Sequence, residues 1–134
     1  MRALTTINSI IRVICDTNAD LDFNSSATDL TIATGALAEV IEKNTLITTA
    51  GTTTIVAAPA SGDRRNVKSI SGFNVDASLG GNVTIEHFDG TIAITIWKGY
   101  LNPGDMVQMG EDGTFTTVPV STARDVQIFT ADGT

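Results

Sequence analysis

TTTIVAAPASGDRRNVKSISGFNVD (Thr52–Asp76) and LNPGDMVQMGEDG (Leu101–Gly113) decide the fold. Both stretches carry short runs of Thr, Ile and Val cut apart by Gly, Pro and Asp. Stiff β-branched side chains suit a pleated, half-buried surface and lose rotamer freedom in a helix. Pro103-Gly104 supplies a fixed φ followed by a residue that accepts a positive one, as a type II turn requires. Asp89-Gly90 and Asp112-Gly113 stand between strand candidates and suit tight hairpins for the same reason.

Outward from these stretches the same rhythm continues. Strands are expected at Ile10–Cys15, Thr53–Ala57, Val67–Val75, Val83–Phe88, Ile92–Leu101, Met106–Met109, Thr114–Val118 and Val126–Phe129. Leu21–Phe23 and Leu30–Thr34 read as two short strands parted by Asn24-Ser25-Ser26, and Leu46–Thr49 as another. Ala36–Lys43 is ambiguous. Ala36, Leu37, Val40 and Ile41 fall at helical spacing and Thr34 is placed to cap them, but two turns are marginal without strong packing. A strand or irregular arm is the reading taken. No strand–helix alternation marks a parallel sheet, so the fold class is all-β: an antiparallel β-sandwich, jelly-roll-like, with an extended N-terminal arm. One structural domain is expected. Residues 1–44 form its strand-and-arm region, 45–118 the sandwich core and 119–134 a C-terminal strand or tail.

The 134 residues, 42% apolar, suffice for one hydrophobic core. No apolar run approaches the roughly 18–20 residues that span a bilayer. Asn8, Ser9 and Arg12 interrupt what would be the apolar segment of a signal peptide, so assembly in a cytoplasm is expected. Cys15 is the single cysteine and reads as a small buried side chain. Eight Lys and Arg against fifteen Asp and Glu give a net charge of −7, and only Arg64-Arg65 are adjacent cations. Phosphate-backbone binding needs several cations acting together, so neither nucleic acid nor an anionic membrane is an expected partner.

Motifs for chemistry are few. Asp16-Thr17-Asn18-Ala19-Asp20 opens like a calcium loop, but Leu21 replaces the required Gly and Ala27 stands where the bidentate Glu belongs. His87 is the only histidine, which leaves little for a multi-His metal site or a Ser/His triad. Glu86 and His87 are strand neighbours and leave opposite faces. Carboxylate pairs such as Asp20/Asp22 or Glu111/Asp112 sit in turn-like sequence, where solvation is the rule. No catalytic residue, cofactor or metal ligand is expected.

Ile92–Leu101 carries an unusual apolar load. Alternation puts Ile92, Ile94, Ile96, Lys98 and Tyr100 on one face, and Ala93, Thr95, Trp97, Gly99 and Leu101 on the other. An uncharged, proline-free run with two apolar faces has to be covered, either as a central strand or by a neighbouring chain. A mean hydropathy of +0.16 points the same way, toward a homo-oligomer. Ile7, Ile10, Ile11 and Val13 form a second β-prone patch, expected to attach the N-terminal arm to a neighbour by strand addition. The candidate interface residues are therefore Ile7, Ile10, Ile11, Val13, Ile92, Ile94, Ile96, Trp97 and Tyr100.

AAPAS (Ala57–Ser61), the basic strand start Arg64-Arg65-Asn66-Val67-Lys68, NVTIEHFDGT (Asn82–Thr91) and LNPGD (Leu101–Asp105) together resemble small β-sandwich proteins carried on bacteriophage particles. The likeness covers about the last two-thirds of the chain, and the first forty-odd residues and Val120–Thr134 fall outside its clearest part. It implies a compact sandwich that assembles as trimers or higher rings and binds the major capsid protein or another virion protein. In such proteins the matched positions build strands and turns and carry no chemistry. A capsid decoration (cement) protein on the outer surface of the head is the expectation, and a tail, neck or fibre-attachment adaptor is the alternative. A different class also fits: a carbohydrate-binding sandwich in which Trp97 and Tyr100 stack on sugar rings.

Overall fold

Alternation governs which side chains enter the core. In β2 (Ile10–Cys15) every second residue, Ile11, Val13 and Cys15, is buried. In β3 (Leu21–Thr31) the inward set is Leu21, Phe23, Ser25, Ala27 and Asp29. The computed structural model describes residues 1–120. Its other strands are β1 (Arg2–Leu4), β4 (Leu37–Ile47), β5 (Gly51–Val56), β6 (Asp63–Asn74), β7 (Gly81–Phe88), β8 (Ala93–Leu101), β9 (Met106–Met109) and β10 (Phe115–Val118).

The strands form two antiparallel sheets. One runs β10-β9-β6-β3-β4, with β1 also paired to β6, and the other runs β5-β2-β7-β8. Phe23, Val67, Ile70 and Val107 from the first sheet meet Ile11, Val13, Ile55, Val83 and Ile85 from the second in one hydrophobic core. Each such side chain contributes about 1.5–3 kcal/mol by leaving water. Gly72 lets the Phe23 ring lie flat on β6, since a Cβ there would stand 2.4 Å from that ring. This is the antiparallel β-sandwich that the strand rhythm predicts.

The turns follow their sequence signals. Gly90, Gly104 and Gly113 take φ of +99°, +87° and +82°. Ala36–Lys43 is extended, as part of β4.

Four expectations need correction. The extended N-terminal arm is replaced by integral strands: β1 pairs with β6, and β2 lies between β5 and β7. Leu21–Phe23 and Leu30–Thr34 belong to one strand through Thr31, because pairing on both sides of β3 overrides the turn preference of Asn24-Ser25-Ser26. Asn24 Nδ2 donates to Asn44 Oδ1 at 2.7 Å across the β3–β4 pair, and Ser25 Oγ donates to the Ile55 carbonyl at 3.4 Å. Leu46 and Ile47 close β4 and do not start a new strand, so residue 44 falls within β4. The central-strand reading of Ile92–Leu101 falls, because β8 is the edge of its sheet among the described residues. The strand expected at Val126–Phe129 lies outside the described residues.

Candidate interaction surfaces

Carboxylates and amides gather where the loops after β2, β6 and β8 meet, and the geometry gives each a backbone group to hold. Asp16 accepts from the backbone N and Nδ2 of Asn82, both at 2.8 Å. Asn18 Oδ1 accepts from Ala50 N at 2.8 Å, and Asp20 N donates to Asp76 at 3.1 Å. The Asp16–Asp20 stretch is therefore a clasp between loops. Asp76 also accepts from Ser78 N and Leu79 N, and Asp105 from Asn102 N and Val120 N. Among the described residues no three His, Cys, Asp or Glu side chains stand together as a metal site.

Asn74 ties this pole to the core. It is fully buried, its Nδ2 donates to the carbonyls of Leu79 and Leu101, and its Oδ1 accepts from Asp76 N.

The electrostatics match this structural use. The Asn82 side chain and amide hold Asp16 below the usual carboxylate range. The Ser78, Leu79 and Asp20 amides lower Asp76, the Ile92 and Thr91 amides lower Asp89, and Thr114 lowers Asp112. Burial pushes His87 down, and the charge of Arg2 adds to that. Arg65 is raised by its bonds to Asp29, which run from Nε at 2.7 Å and from Nη2 at 3.0 Å. Its Nη1 donates to the Ala57 carbonyl at 2.8 Å, so the Arg65 of the basic strand start fastens the AAPAS segment. Arg12 bonds Glu86 at 2.8 Å and lies 4.0 Å over the Phe88 ring. Arg12 and Arg65 are thus each committed to a carboxylate on the neighbouring strand.

The exposed apolar side chains lie mostly along two margins of the sandwich. On β8 and the residue before it, Ile92, Ile94 and Tyr100 are exposed, at 58%, 57% and 52%. Ile96 and Trp97 are half-buried against the core, and the Trp97 ring stacks on Phe115 of β10 at 6.4 Å. The other margin is β4 with the turn before it, where Ile32, Leu37, Val40, Ile41 and Leu46 are exposed. Between β3–β4 and β5 opens a small cleft of about 130 Å³ lined by Ala27, Ile41, Ile55, Val56, Lys43 and Arg65.

The sequence-predicted interface residues therefore divide. Ile92, Ile94 and Tyr100 are available at an edge, with Ile96 and Trp97 behind them. Ile7 is exposed in the turn between β1 and β2. Ile11 and Val13 are at 0% exposure in the core, so they are packing residues and not contact residues, and Ile10 is half-buried beside Phe88. The β4 margin was missed. Its signal was present: Leu37 and Ile41 fall on odd positions and Val40 and Leu46 on even ones, a pattern that buries neither face of a strand cleanly.

Searches of protein families, curated proteins and solved structures find nothing that matches the chain.

Proposed function

We propose that this protein is a bacteriophage virion structural protein, a capsid decoration (cement) protein that binds many times over the head and bridges its capsomers. The observation that carries the reading is the pairing of a small antiparallel sandwich with two exposed apolar margins. Exposed apolar surface of that extent is suited to burial against other subunits. The AAPAS, basic-strand and LNPGD stretches that resemble phage sandwich proteins support it, as does the acidic charge, which suits an outer surface better than a DNA-filled lumen. On this reading the protein is no enzyme, self-associates with a trimer favoured, and meets the major capsid protein or another virion protein.

Copy number on purified particles tests the proposal. Hundreds of copies per particle, by quantitative mass spectrometry, together with loss of head stability on removal, are expected. Five to a dozen copies would move the protein to a tail, neck or fibre adaptor, and absence from particles would end the virion reading.

A further inference from the structure

We infer that copies of this chain join head to tail, the edge of β4 in one copy pairing antiparallel with the edge of β8 in the next, both edges being open among the described residues. The inference rests on the reading of the protein as a self-assembling subunit and names the surface that assembles it. Three observations on the two margins carry it.

The first is their position. Strand β4 ends one sheet and shares the cleft with β5, while β8 ends the other sheet and meets β10 through Trp97 and Phe115. They lie at opposite sides of the sandwich. A contact between two different patches at opposite sides is heterologous, and repeating it gives a ring of three or more copies, or an open fibre if the rotation does not close. Each such contact pairs one β4 edge with one β8 edge, which removes the unpaired main-chain groups that make an open edge a template for aggregation.

The second is chemistry. Ile92–Trp97 is an uncharged run with no proline on an edge strand, so neither of the usual chemical guards of an exposed edge is present, and a register shift at Ile96 is the one irregularity in its pairing. Strand β4 offers the matching apolar side chains Leu37, Val40, Ile41 and Leu46, all exposed.

The third is charge complementarity with a definite register. The only charge on β8 is Lys98, whereas β4 carries Glu39, Glu42 and Lys43. Lys98 faces Thr84 and Tyr100 faces Asn82 within their sheet, so both leave its outer surface. Glu42 faces Ser26 and Val40 faces Thr28, which places both on the outer surface of the other sheet. Setting Glu42 opposite Lys98 in an antiparallel pair automatically sets Val40 opposite Tyr100. An ion pair and an apolar–aromatic pair then fall side by side on one face, the kind of cross-strand pairs that stabilise a sheet. Neither Glu42 nor Lys98 takes part in the two ion pairs formed among the described residues.

Charge exchange and cross-linking test this. The unmodified protein should form oligomers of three or more copies by light scattering. Glu42→Lys and Lys98→Glu should each weaken association about tenfold, because each sets like charges face to face, and the double exchange should restore it to within about threefold. Val40→Cys combined with Tyr100→Cys should oxidise into a covalent ladder, since facing Cα atoms in an antiparallel pair fall within disulfide reach. Neither single cysteine variant should cross-link, and Cys15, at 2% exposure, stays out of the reaction. All the altered residues are exposed, so the fold is expected to survive, and circular dichroism checks it. Dimers from Tyr100→Cys alone would mean that β8 pairs with itself and would overturn the inference. An oligomer indifferent to every exchange would overturn it too while leaving self-assembly standing. A monomer at all concentrations would remove both.

Discussion

Replacing Asn74 by Ala should destabilise the sandwich far more than any exposed polar substitution. The side chain is at 0% exposure and makes three bonds: to the Leu79 carbonyl at 3.1 Å, to the Leu101 carbonyl at 3.0 Å and from Asp76 N at 2.9 Å. Truncation strands the Leu101 carbonyl in the interior and leaves the other two partners half-satisfied. A buried polar group without a partner costs about 1–3 kcal/mol. One fully buried and two partly buried partners together give about 3 kcal/mol, a large part of the ~5–15 kcal/mol that holds a domain together. At roughly 3–4 °C per kcal/mol for a chain of this size, Tm should fall by about 10 °C. Urea unfolding followed by Trp97 fluorescence measures it, and the midpoint should shift with an unchanged slope. Asn24→Ala is the control, because its single bond to Asn44 is exposed, and it should stay within about 0.5 kcal/mol. An Asn74→Ala variant as stable as that control would refute the reasoning, since the loop pole would then be held by something other than this side chain.

Deleting residues 1–15 should abolish the cooperative unfolding transition seen by circular dichroism, because it removes Ile11, Val13 and Cys15 from the core and the strand that joins β5 to β7; a folded truncated protein would contradict the topology. Stability should fall in acid. Asp16, Asp76, Asp89 and Asp112 have folded pKa values below their unfolded ones, so their contribution is present above about pH 4 and disappears as pH drops through the folded values. His87 adds to this with the same sign: its folded pKa lies below about 6.5, the unfolded chain takes up the proton first, and stability declines as pH falls through that range. His87→Gln should remove the decline near pH 6 and leave the one near pH 4, read as Tm against pH. Chelation with EDTA should leave Tm unchanged, because Asp16 and Asn18 already hold backbone amides; a fall of many degrees would mean a bound ion supports the loop.

The β-rich class and most strand positions were legible because two-residue alternation and Gly-Asp-Pro punctuation are local signals, as in Ile10–Cys15 and Val83–Phe88. Strand order was not legible. Nothing near Asn24-Ser25-Ser26 announces that β3 will be flanked on both sides and so run straight through a turn-like triplet. The apolar density of Ile92–Leu101 said that the strand must be covered. Whether the cover comes from its own sheet or from elsewhere depends on which strand ends the sheet, and that is decided by partners distant in the chain. The same distance hid the jobs of the carboxylates. Asp16 reads as a solvated turn residue until the fold brings Asn82 beside it.

The pairing of β2 carries a cost in time. Ile10 faces Phe88 and Cys15 faces Val83, so one flank of the most apolar early segment stays open until most of the chain exists. At about 5–20 residues per second of synthesis, that flank waits roughly 4–15 s after β2 has been made. Its other flank, β5, arrives sooner, with Val56 opposite Ile11 and Gly51 opposite Cys15. The order of synthesis therefore gives β2 its β5 neighbour first, and slow codons placed after β7 would extend the interval in which β7 can displace competing contacts from the other flank.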